Sequence, residues 1–152
     1  MRSITLAKAL SLKNTLAGEV SKFAAVLASR SSYEQGRRTA ADEKTVNETY
    51  LEYLAKVANL TELKVAIRLG NIPITKQLVE LEETKSLLTQ TAALAFDERW
   101  DAHYGSEKEV HRLPNFDQKA IADSVKTLQN RIEVLQDEIT AFNHTNKIEI
   151  TF

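Results

Sequence analysis

The stretch that decides the fold runs Ile121-Ala122-Asp123-Ser124-Val125-Lys126-Thr127-Leu128 and continues through Ile132, Leu135 and Ile139 to Phe142. Within it Ile121, Val125, Leu128, Ile132, Leu135, Ile139 and Phe142 recur at alternating spacings of four and three. Asp123, Lys126, Gln129, Asn130, Glu133 and Asp137 lie between them. A mean spacing of 3.5 keeps every apolar residue on one face of a helix, which is the pattern of a heptad seam. Asp117 is placed to cap the first turn with its carboxylate, and Asn143 to end the helix, so the spacing predicts a helix over about 118–143.

The same spacing appears three more times. Val46, Tyr50, Tyr53, Val57, Leu60, Lys64 and Ile67 form a second seam, for a helix over about 42–66. Thr39 followed by Asp42 is close to a capping box, and Glu52 with Lys56 is a favourably oriented i,i+4 pair. Ala9, Lys13, Leu16, Val20, Phe23 and Leu27 mark a helix over about 5–30. Leu78, Leu81, Lys85, Leu88 and Ala92 mark another over about 76–102, with Thr75 as its cap. Helices of about 25 residues are about 38 Å long, which favours antiparallel hairpins over a globin-like cluster. Lys13, Lys64 and Lys85 fall on the seams. Their long stems can snorkel to the edge, which is the simpler reading than a polar residue that fixes register.

Short extended pieces separate the helices. The expected strands are about 67–74, where Gly70-Asn71 suits a turn, 109–113 and 147–152, gathered as a small β element at one end of the bundle. The fold class is therefore mainly α: four long helices as antiparallel hairpins in a bundle, with 1–152 as a single domain.

Composition narrows the function. The chain has 152 residues, 20 Lys+Arg against 21 Asp+Glu, four glycines, two prolines and no cysteine. So few breakers argue against a turn-rich β-sandwich, and a net charge of -1 against a nucleic-acid coat or polybasic membrane binder. Without cysteine there is no disulfide, thiolate metal site or cysteine nucleophile. No apolar run approaches the roughly 18 residues of a membrane span, and Met1-Arg2-Ser3-Ile4-Thr5 does not open a signal peptide. A soluble protein of the cytoplasm is expected.

Chemistry-bearing motifs are scarce. No phosphate loop or dinucleotide fingerprint occurs, nor any HExxH. Asp97, Glu98, Asp101, His103, Glu107, Glu109 and His111 are the one cluster able to ligate a metal or exchange protons. Asp101, His103 and His111 are its best candidates for a metal-dependent enzyme, although their spacing matches no zinc or iron pattern. Arg30, Arg37 and Arg38, with Tyr33, sit in a Ser-rich connection. It could hold a phosphate or single strand but reads more simply as an inter-helix loop, so no strong nucleic-acid signal remains.

The order of these pieces resembles a known family. Leu6-Ala7-Lys8-Ala9-Leu10 opens the chain, a polar loop follows, and the second helix runs into Ile67-Arg68-Leu69-Gly70. Ile74-Thr75, Leu113-Pro114 with Asp117, and Asn143-His144-Thr145 complete the set. Together they resemble the septicolysin-like family of small bacterial helical proteins. The resemblance implies a helical fold and supplies no catalytic residue or cofactor. The Ser/Arg-rich loop and Lys64 depart from its pattern. A non-enzymatic scaffold or interaction protein acting as a homo-oligomer is the leading expectation, with the α118–143 seam as core or oligomer face. A lysin-like membrane-active protein and the metal-dependent enzyme are the alternatives; no cofactor is expected.

Overall fold

The structure, a computed structural model, describes residues 1–37, 39–94, 99–102 and 109–152, with the backbone alone at 40, 41, 99–102, 109 and 110. It is mainly helical, with four α-helices and two antiparallel strand pairs among the described residues. The chain forms two compact units, one from residues 1–73 and 140–152, the other from 74–139.

The first unit is built on β1 (Arg2–Thr5), α1 (Leu6–Ser29), α2 (Ala40–Gly70), the end of α4 (Gln118–Thr145) and β4 (Lys147–Ile150). The Thr5 side chain accepts from the Lys8 amide at 3.3 Å, which starts α1 directly after the strand. Residues 30–39 connect α1 to α2, with Gly36 at φ 83, a left-handed conformation that glycine adopts without a Cβ penalty. Thr39 and Asp42 then form the expected capping box: the Asp42 amide donates to Thr39 Oγ1 at 3.2 Å and the Thr39 amide to Asp42 Oδ2 at 3.0 Å.

α1 and α2 pack as an antiparallel hairpin around Leu6, Ala9, Leu16, Leu60, Leu63 and Ile67, with Ile4, Ile148 and Ile150 from the strands completing the core. The α1 face follows the expected seam. On α2 the phase differs: Lys64 and Tyr50 are exposed, while Leu63 is fully buried and Thr49 turns partly inward. Lys56 leaves the expected pairing with Glu52 and crosses the hairpin to Glu19 Oε2 at 2.6 Å.

The strand expected over 67–74 is not formed. α2 continues to Gly70 and Ile72–Ile74 is a single 3-10 turn. The reason is packing from distant sequence. A Cβ on Gly70 would lie 2.6 Å from Ile148 Cγ2 and 3.2 Å from Leu6 Cδ2, so the helix end approaches the sheet as only glycine allows. The Asn146 side-chain amide donates to the Gly70 carbonyl at 3.0 Å and the Leu6 amide to the Asn146 carbonyl at 2.9 Å. β1 and β4 pair antiparallel, with Arg2 opposite Ile150 and Ile4 opposite Ile148. The three expected strands thus do not share one sheet: 147–150 takes as partner a strand at 2–5 too short to announce itself.

The second unit holds α3 (Thr75–Ala92), β2 (Arg99–Ala102), β3 (Glu109–Arg112) and α4 as far as Ile139. Thr75 is the first helical residue rather than a cap; the N-cap position is Ile74, which makes no side-chain capping bond. α3 ends at Ala92, short of the expected 102, because 99–102 pairs as a strand with 109–112. Asp117 caps α4 as expected, accepting from the Ala120 amide at 2.9 Å, and the helix runs two residues past Asn143. α3 and α4 lie antiparallel. Arg131 binds Glu80 Oε1 through Nε at 2.7 Å and Nη2 at 2.5 Å near one end. At the other end Leu87, Thr91 and Leu94 share a cleft with Ile121, Ser124 and Leu128. Lys85 is exposed and Thr84 stands on the inward side, so both seam lysines of α2 and α3 project outward.

Candidate functional site

Of the acid and histidine cluster, Asp101, Glu109 and His111 fall on the β2–β3 ribbon. Backbone pairing sets Trp100 opposite His111 and Asp101 opposite Val110, so register does not bring Asp101 and His111 together as a direct pair. His111 is exposed. His103, Asp97, Glu98 and Glu107 lie outside the described residues, as does the side chain of Asp101. Among the described residues no group of three or more His, Asp or Glu side chains is placed to hold a metal ion.

The arginine loop has its own accounting of charge. Arg37 pairs with Glu34 at 2.9 Å, and Arg30 closes α1 through its backbone amide; Arg38 lies outside the described residues. The serines bend back on the helix: Ser29 Oγ donates to the Val26 carbonyl and Ser31 Oγ to the Ala28 carbonyl, each at 2.8 Å. A cleft of about 420 Å³ opens here, but Asp42 lines it beside Arg30 and Arg37. With Glu34 on Arg37, two carboxylates stand against the two guanidiniums among the described residues of the loop.

The α4 seam faces partly inward. Leu135 is fully buried and Ile121 nearly so, while Val125, Leu128, Ile132, Ile139 and Phe142 are half-buried. The residues between them, Val134 included, face water.

Two features escape a reading of the sequence alone. The first is a second apolar row on the outer face of α2 and the turn after it. Leu51, Leu54, Val65, Leu69 and Ile72 are 65%, 44%, 52%, 61% and 64% exposed, with Ala58 exposed between them. Their spacings of three, four and seven are a second helical phase. The more regular Val46–Ile67 seam, on the opposite face, masks it. The second is a cleft between α1 and α2 lined by Lys13, Lys64 and Arg68, residues that the sequence places on separate helices and that only packing unites.

Comparison with protein-family models, with curated proteins and with solved structures finds no match to this chain.

Proposed function

We propose that the protein is a non-enzymatic helical scaffold that works through its surfaces as a homo-oligomer, and that the outer row of α2 is the self-association face. The observation that carries this reading is the symmetry of the row. Leu51 and Ile72, Leu54 and Leu69, and Ala58 and Val65 are equidistant from a point between Thr61 and Glu62. Two copies laid antiparallel about a two-fold axis there set Leu51 against Ile72, Leu54 against Leu69 and the small Ala58 against Val65. A two-fold interface needs that self-complementarity. Glu62 falls beside the axis, where its carboxylate accepts from the Thr151 amide and hydroxyl.

Size favours the same reading. Five large side chains at roughly half exposure present roughly 300 Å² of apolar surface per copy, the size of the largest patch on a typical monomer, which is often functional. Covering both rows yields roughly 15 kcal/mol gross at ~25 cal/mol per Å², against an association cost of ~4–15 kcal/mol. A dimer of modest affinity follows. The membrane-active alternative draws less support. Among the described residues no helix is long and apolar enough to cross a membrane, and the inner faces of α1 and α2 are committed to a core. The septicolysin-like resemblance rests on its motifs and fits either reading.

Sedimentation velocity over a range of concentrations tests the proposal. A monomer–dimer equilibrium is expected, abolished by Leu54→Glu or Leu69→Glu. The chain has no cysteine. Thr61→Cys, at the axis, should therefore cross-link to itself under mild oxidation, and Leu51→Cys, at the end of the row, should not. A strict monomer at high concentration, or a dimer indifferent to both glutamates, would overturn the reading.

A further inference from the structure

We propose that Lys13, Lys64 and Arg68 form an anion-binding cleft for a small phosphate-bearing molecule. The cleft is about 420 Å³, within the range of small-molecule sites, and its walls are Lys13 of α1 with Thr61, Lys64, Val65, Ile67 and Arg68 of α2. Three cations and no carboxylate line it. Lys56, Arg37 and Lys44 of this unit are paired, with Glu19, Glu34 and Glu48. Among the described residues Lys13, Lys64 and Arg68 have neither an ion pair nor a side-chain hydrogen bond.

That concentration of like charge is unfavourable by itself. Lys64 and Arg68 are an i,i+4 pair of the same sign, a spacing that destabilises a helix. Lys13 is half-buried on the inner face of α1 and adds a third positive charge. A bound anion relieves the repulsion. The Thr61 hydroxyl donates to the Val57 carbonyl at 2.9 Å, so the donors left for a ligand are the two ammonium groups and the guanidinium fork. Three positive charges with a bidentate fork suit the three oxygens of a phosphate dianion better than a single carboxylate. Val65 and Ile67 supply apolar wall for an organic body; Thr61 and Val65 also belong to the self-association row, so the ligand and a second copy compete for them. Three cations in a concave site give far fewer contacts than the phosphate track of a nucleic acid, so a small ligand fits where a polyanion does not.

Amide chemical shifts of the 152-residue chain, followed at constant ionic strength, test this. Inorganic phosphate should produce saturable shifts at residues 13, 61, 64, 65 and 68, which chloride does not. Phenyl phosphate should bind more tightly than inorganic phosphate, using the apolar wall. Arg68→Ala, at an exposed position, should weaken binding at least tenfold, whereas Lys22→Ala, a lysine of α1 outside the cleft, should leave it unchanged; unfolding curves confirm that both variants fold. Unsaturable or chloride-like shifts, or equal weakening by the two variants, would overturn the proposal. Association with phosphatidylcholine vesicles only when they contain phosphatidic acid, with no response to soluble phosphates, would assign the cleft to a lipid headgroup and overturn the small-molecule reading.

Discussion

Replacing Gly70 by alanine sets two effects of known size against each other. In an open helix the change favours folding by ~0.8–1.0 kcal/mol, because alanine loses less backbone freedom. At Gly70 the added methyl would sit 2.6 Å from Ile148 Cγ2 and 3.2 Å from Leu6 Cδ2, where carbon atoms prefer ~3.5–4.0 Å. Neither neighbour can yield cheaply. The Ile148 methyl is fixed on a β-branched carbon in a strand registered against β1, and Leu6 is fully buried. The Asn146 amide, bonded to the Gly70 carbonyl at 3.0 Å, ties the start of β4 to the helix end itself. Overpacking of this kind costs ~1–3 kcal/mol, and a shortfall of almost 1 Å belongs in its upper half, so a net loss of about 1–2 kcal/mol is expected.

Gly18 provides the opposite case in the same chain: a Cβ added there would meet no atom within 4 Å, so Gly18→Ala should stabilise by ~0.8–1.0 kcal/mol. Amide hydrogen exchange in α1, α2 and β4 reads the first unit directly, without assuming that both units unfold together. Faster exchange in Gly70→Ala with slower exchange in Gly18→Ala is the expected pair. Protection equal to or above that of the parent chain in Gly70→Ala would refute the close approach of helix and strand.

Leu135→Ala should cost ~2–5 kcal/mol in thermal or urea unfolding, while Val134→Ala, 47% exposed on the same helix, should be near neutral. Thr39→Ala removes the half of the capping box made by the Thr39 hydroxyl and keeps the half made by its backbone amide, and should cost ~1 kcal/mol, seen as fraying of the first turn of α2 in amide exchange. Lys56→Met breaks the 2.6 Å pair with Glu19, but with side chains 37% and 38% exposed the loss should stay within ~1 kcal/mol and shrink as salt is added.

What can be read from the chain is whatever one segment states alone. The α4 seam is legible because seven apolar residues keep one phase without a polar interruption. Asp117 and the Thr39–Asp42 box are legible because capping is a contact over three residues. α2 is harder. The expected and observed inner faces share Val46, Tyr53, Leu60 and Ile67, and differ in whether Tyr50 and Lys64 or Thr49 and Leu63 turn inward. Lys56 is drawn inward by Glu19, 37 residues away, which no local pattern encodes. The 67–74 stretch alternates well enough for a strand. Its helical end is imposed by Leu6, Asn146 and Ile148, all distant in sequence. The candidate sites are less legible still. The cleft exists because hairpin packing brings Lys13 beside Lys64 and Arg68, and the palindromic row matters only once its exposure is known.

The β1–β4 pairing has a consequence for how the chain reaches this state. The α1–α2 hairpin closes across a connection of residues 30–39, whereas joining Thr5 to Lys147 encloses about 140 residues. That is about four doublings of loop length, or roughly 2 kcal/mol more closure entropy at ~0.6 kcal/mol each. Closure of the sheet should therefore follow formation of the helical hairpin. Until it does, β1 is an open edge beside the unfilled groove of Leu6 and Gly70, and β4 of a neighbouring chain fits that groove as well as its own. Strand exchange between chains is thus the characteristic misassembly to look for when the protein is refolded at high concentration.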